Sequence, residues 1–213
     1  MTEKVFWSNP YQTEIRSVVT QIIGCDIELS HTIFYAESGG QESDKGTIAG
    51  ISVVKAIKVG SRIIYTLETT PDFTVGDVVV TKIDWSRRYA LMKLHFAAEV
   101  VLELFTQNFD TINKVGAHIS QDKSRIDFEW LENITSLLPE LERKAQALID
   151  SDSVIISEFS DQTKERRYWK VVGFAQVPCG GTHLKRTSEV GNIALKRKNV
   201  GKGKERVEIR LVD

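Results

Sequence analysis

Apolar and polar residues alternate through most of the first 83 positions. Thr13 to Ile22 and Asp26 to Phe34 follow a period of two, separated by a turn at Gly24-Cys25. Thr47 to Val59, Ser61 to Thr69 and Thr74 to Ile83 repeat the pattern, punctuated by Gly60, Pro71-Asp72 and Gly76-Asp77. Short strands at this spacing, with no helical period among them, predict a small β-barrel-like domain over residues 1–83. One polar, glycine-rich segment, Ala36 to Gly46, breaks the rhythm. It reads either as a mobile loop or as a substrate-facing one. In the second reading Gly39 and Gly40 allow close backbone approach and Gln41 offers an amide.

At Asp84, a suitable N-cap, the period changes. Trp85 to Phe105 carries apolar residues at 90, 91, 94, 97, 98, 101, 102 and 105, which predicts a helix with a wide buried stripe. Lys114 to Gln121 and Ser124 to Phe128 read as a hairpin, and Pro139 to Asp150 as a second helix with proline in its first turn. Val154 to Phe159, Arg166 to Val177, Gly191 to Lys198 and Arg206 to Leu211 read as strands. The expected class is α+β, the N-terminal β domain being followed over 84–213 by a mixed or antiparallel sheet with two helices.

Composition adds limits. The 213 residues, 41% apolar and 27% charged, suit an ordinary globular protein able to bury a real core. With a formal net charge of −1, a polyanionic partner has to be met by a local basic face. The N-terminus lacks a signal pattern and no apolar run nears the roughly 18 residues of a membrane span, so a cytoplasmic protein with no membrane association is expected. Cys25 and Cys179 make no disulfide framework and are expected as reduced thiols.

Candidate chemistry concentrates in Cys179-Gly180-Gly181-Thr182-His183, which follows the Arg166–Val177 strand. Two glycines let a thiolate and an imidazole point at one centre, a combination that zinc accepts. The same residues also read as a Gly-Gly turn with an incidental cysteine and histidine. His95 and Glu99 stand four apart on the first helix and share a face, either as a structural hydrogen bond or as a metal-site pair. Together the two pairs could close one tetrahedral site. That makes His95, Glu99, Cys179 and His183 the candidate metal ligands and catalytic residues, with Zn(2+) as cofactor.

The segment Thr32-Ile33-Phe34-Tyr35-Ala36-Glu37-Ser38-Gly39-Gly40-Gln41-x-Ser43-Asp44-x-Gly46 resembles a signature of the alanyl-tRNA synthetase editing domain. Arg88-Tyr89-x-Leu91-Met92-x-x-His95-x-x-Ala98 and Cys179-Gly180-Gly181-Thr182-His183-x-x-x-Thr187-x-Glu189-Val190-Gly191 are similar to its other two blocks, in the family's order. No catalytic synthetase core fits before or after them, so the resemblance points to the free-standing editing proteins called AlaX, in the medium-length form. It implies a zinc-dependent deacylase that hydrolyses Ser-tRNA(Ala), and Gly-tRNA(Ala) as a second substrate, in trans. By position Thr32 would bond the serine hydroxyl and Gln41 would line the same pocket, beside Gly39, Gly40 and Thr182. Backbone amides around Gly180 and Gly181 would hold the substrate carbonyl or its oxyanion.

The family's helix motif is His-x-x-x-His, and here Glu99 takes the second place. Three roles are open for Glu99: metal ligand, general base beside a three-ligand site, or a mark of weakened metal binding. The partner implied is the acceptor end of tRNA(Ala), with no obligate protein partner. Candidate tRNA contacts are Arg88, Lys185, Arg186, Lys202 and Lys204, and the Lys196-Arg197-Lys198 run and Arg206 are further basic groups. Competing readings are a deacylase of another mischarged tRNA and a tRNA-binding module that has lost catalysis.

Overall fold

The computed structural model of the protein describes residues 2–109, 112–201 and 203–212. Contacts between residues divide the chain into two units, Met1–Ser38 with Glu42–Tyr89, and Gly39–Gln41 with Ala90–Asp213.

The first unit holds β1 (Glu3–Lys4), α1 (Val5–Ser8), β2 (Glu14–Ile23), β3 (Asp26–Leu29), β4 (His31–Thr32), β5 (Gly46–Ile48), β6 (Ile51–Val59), β7 (Arg62–Leu67) and β8 (Val78–Ile83). Pairing runs β2-β3-β7-β6-β5-β8, and β8 returns antiparallel to β2, so these strands leave no open edge. β1 and β4 form a separate two-residue parallel pair. Val19, Ile27, Leu29, Ile63, Tyr65 and Val79 alternate inward as the core. The predicted Thr47–Val59 strand is a hairpin, because Ala49 and Gly50 take φ of 51° and 80°, the left-handed pair of a two-residue turn. The predicted Asp26–Phe34 strand ends its ladder at Leu29. The chain then runs on as β4 and a buried stretch, Ile33 to Ala36.

The second unit begins within α2 (Trp85–Asn108), whose first turn belongs to the first unit. It continues through β9 (Asn113–Ile119), β10 (Ser124–Glu129), α3 (Leu138–Asp150), β11 (Ile156–Asp161), β12 (Arg166–Val171), β13 (Ala175–Pro178), β14 (Asn192–Asn199) and β15 (Lys204–Val212). In place of one mixed sheet there are two antiparallel sheets, ordered β14-β15-β10-β9 and β11-β12-β13. The Arg166–Val177 strand is likewise two, since Gly173 at φ 81° turns the chain back and Phe174 N–H donates to Val171 O at 3.1 Å. α2 is buried on more than a stripe. Met92, Phe96 and Val100 are as enclosed as the expected Leu91, Leu94 and Val101, which marks a central helix. No helix among the described residues is long and apolar enough to cross a membrane, and both cysteines are free.

Candidate metal centre

The corner after β13 is built from the sheet outward. Cys179 directly follows Pro178, the last residue of β13, and its N–H donates to Arg167 O on β12 at 2.9 Å. A rigid hairpin thereby fixes where its sulfur points. His95, on the buried α2, places Nε2 3.3 Å from that sulfur. The His183 ring is also buried, its centroid 5.4 Å from that of His95. One donor atom from each of His95, Cys179 and His183 lies within 4.8 Å of the other two.

These residues fit zinc. Bonds of about 2.3 Å to sulfur and about 2.0–2.1 Å to nitrogen at a tetrahedral angle put the two donors about 3.5 Å apart. The Nδ1 of His183 is hydrogen-bonded to Ser157 Oγ at 2.8 Å, while its buried Nε2 has no partner among the described residues. An imidazole anchored through one nitrogen and bare at the other is the usual state of a ligating histidine.

The glycine corner makes room for this. A Cβ at Gly181 would overlap Cε1 of His95 and stand 2.5 Å from its Nδ1 and 3.0 Å from Gln41 Oε1. The Gly181 carbonyl accepts from Arg167 Nη1 at 3.2 Å. Gln41 is buried, donates through Nε2 to Thr182 Oγ1 at 3.1 Å, and keeps Oε1 without a partner among the described residues. Gly40 lies against β9, where its carbonyl accepts from Ile119 N–H at 2.8 Å and a Cβ would meet Ala117 O at 2.7 Å. Gly40 and Gln41 are thus packed into the second unit rather than left as an open loop, while Gly39 stays exposed.

Glu99 stands next to this group but outside it. Its Oε1 is 3.7 Å from His95 Nε2, and its Oε2 accepts from the indole N–H of the fully buried Trp169 at 2.9 Å. Burial opposes its charge, but His95 and the Trp169 N–H outweigh burial and hold its pKa near about 2. Burial likewise opposes a charged His95, yet Cys179 and Glu99 raise it to about 10. His183 is pushed well below the ordinary histidine value by burial, then by the charges of His95 and Arg167. Around neutral pH and without a metal, the Glu99 carboxylate is ionised, the His95 ring charged and the His183 ring neutral, and His95 gives up its proton where Nε2 takes a metal.

Thr32 is buried in the first unit, where its Oγ1 lies 2.7 Å from the Tyr65 hydroxyl and accepts from Phe34 N–H at 3.0 Å. Arg88 does not serve as a tRNA contact, because it is fully buried and its guanidinium is spent inside the first unit. It pairs with Asp44 and donates to Ile33 O at 2.6 Å and Pro10 O at 2.9 Å. Lys185 and Lys204 are exposed, and so is Arg186, which is paired with Asp152 at 2.6 Å. Lys202 lies outside the described residues. Sequence reasoning missed Ser157 and Trp169, which strand folding alone brings here. The one available signal was the indole of Trp169, since a buried N–H needs an acceptor.

The family model described as threonyl and alanyl tRNA synthetase second additional domain matches residues 172–208, and that described as tRNA synthetases class II (A) matches residues 3–87. An alanyl-tRNA editing protein, AlaX-M, of Pyrococcus horikoshii is 33% identical over 98% of this chain and 97% of its own length. Alanine–tRNA ligases of Methanococcus aeolicus and Ignicoccus hospitalis are each 31% identical, over 97% and 91% of this chain. The chain spans about a quarter of those ligases, 25% and 24% of their lengths.

Proposed function

The chain belongs to the alanyl-tRNA editing proteins of the AlaX-M type, and from that membership we propose that it hydrolyses the ester of tRNA(Ala) mischarged with serine, and with glycine as a second substrate. The observation that carries this reading is the convergence of His95, Cys179 and His183 beside the Gln41–Thr182 pair. A synthetic site sized for alanine discriminates weakly against molecules that differ by one small group, so a second, hydrolytic sieve is needed.

In this reading His95, Cys179 and His183 hold a zinc ion, which supplies Lewis acidity towards the ester or water. Ser157 fixes the His183 ring so that Nε2 presents its lone pair. Glu99, held by Trp169 beside these three residues, would serve as proton acceptor for the attacking water in place of a fourth ligand, its basicity rising once His95 gives up its proton to bind metal. The bare Oε1 of Gln41 is a buried acceptor suited to a donor on the aminoacyl group. Thr32 is assigned to the serine hydroxyl on the strength of the family resemblance. The tRNA meets exposed cations, Lys185 and Lys204 among them.

Metal analysis and deacylation of Ser-tRNA(Ala) by three proteins test this. Wild type carries zinc and turns over, Cys179→Ala loses both, and Glu99→Gln keeps zinc while its rate falls about 10²–10⁴-fold. Zinc lost from Glu99→Gln would make Glu99 a ligand. Full activity in metal-free Cys179→Ala would defeat the reading.

A further inference from the structure

The four-stranded sheet has one face of hydrophobic residues and one of charges. Ile126, Phe128, Val207 and Ile209 are buried on the first. On the other, cross-strand partners bring together Lys196 with Glu208 and Lys198 with Arg206 between β14 and β15. Between β15 and β10 they align Arg125 with Glu208 and Asp127 with Arg206. Lys123 joins the same face through a 2.6 Å ion pair with Glu208, and Arg210 approaches the same carboxylate at 3.9 Å.

Lys123, Arg125, Lys196, Lys198, Arg206 and Arg210 thus share two carboxylates, an excess of four positive charges, in a chain whose net charge is −1. Lys204 and Glu129, opposite each other at one end, add one charge of each sign. Like charges directly opposite across a ladder destabilise a sheet, and Lys198 faces Arg206 in that way. The carboxylates hold Arg125 and Arg206 flat along the sheet, with Arg206 donating to Asp127 at 2.6 and 3.0 Å, while Lys196 and Lys198 stand exposed.

We propose that this face, centred on Lys196 and Lys198, is the surface on which the double-stranded stem of the tRNA rests through its phosphates. A polyanion relieves the like-charge pairing and draws affinity from counterion release. The outward positions of β14, β15 and β10 carry no aromatic ring and β9 adds the single imidazole of His118 opposite Arg125, too little for the stacking platform that single-stranded RNA uses, which favours backbone recognition of a helical stem. The inference rests on the tRNA reading above and assigns it a surface.

The test is binding of uncharged tRNA(Ala), followed by fluorescence anisotropy across a salt series, so that ester hydrolysis plays no part. The Lys196→Gln/Lys198→Gln double variant, altered only at exposed side chains, is expected to bind about 10-fold more weakly at moderate salt. The slope of log K against log salt should fall in magnitude by about 2, roughly 0.9 per lost phosphate contact. Lys82→Gln and Lys164→Gln, at exposed lysines of β8 and of the β11–β12 turn, should bind as wild type does. Unchanged affinity and slope in the double variant would reduce the face to a structural charge ladder and overturn the proposal. Equal losses in the two controls would overturn it too, by showing diffuse attraction. Failure of the deacylation reading appears separately, as Ser-tRNA(Ala) that stays charged in the presence of wild-type protein.

Discussion

A methyl group at position 181 has nowhere to go, because the His95 ring occupies its place. Gly181→Ala should therefore push the ring aside while leaving both sheets intact. A near-normal melting temperature with zinc affinity lowered at least 10-fold, measured by chelator competition, is the expected pair of results. Ser157→Ala releases His183 Nδ1 and should cost about 10–100-fold in zinc affinity by the same measurement. At this scale the sequence was informative about donors and silent about their supports. Cys179, His183 and His95 are marked by residue type and spacing, whereas Trp169 lies 70 positions from the Glu99 it fixes. Arg88 shows how charge misleads. Its buried partner Asp44 stands 44 positions earlier, and no local pattern says that the two meet. Asp44→Asn should leave a buried guanidinium poorly compensated and lower stability by about 3–5 kcal/mol, read from denaturant unfolding.

Elements were legible where period and length agreed. α2 announced itself by apolar spacing, and only its near-complete burial exceeded what the pattern implied. Hairpins were missed where the turn residues also suit strands. Val172-Gly173 continues a β-rich run, and only the positive φ of Gly173 divides β12 from β13. That turn matters, since it is β13 that delivers Cys179 to the corner. In the four-stranded sheet, Asp127 offers a pH test. Burial raises its carboxyl pKa, but hydrogen bonds and positive charge from Arg206 and Arg125 outweigh burial and hold it below the ordinary value of 3.8. The unfolded chain then takes up the proton first on acidification. The stabilisation is complete above about pH 4 and fades as pH falls through the native value. Asp127→Asn should melt below wild type at pH 7, with the gap closing under pH 4. A gap that stays constant with pH would contradict the assignment.

At the scale of the whole chain, the change of period near Asp84 led to the expectation of a β-rich N-terminal part and an α+β remainder. What composition could not reveal is that Gly39–Gln41 packs with the second unit, although its neighbours on both sides belong to the first. Gln41 reaches Thr182 across 141 positions, a contact that only tertiary folding creates. The near-zero net charge also hid a sheet face with a clear positive excess, because charge summed over a chain says nothing about its placement. The most direct test of the account is a deacylation assay with Ser-tRNA(Ala), Gly-tRNA(Ala) and Ala-tRNA(Ala), run with and without a zinc chelator. Release of serine and glycine but not alanine, abolished by the chelator and restored by zinc, is the predicted result. Ser-tRNA(Ala) that remains charged in the presence of zinc-loaded protein would contradict it.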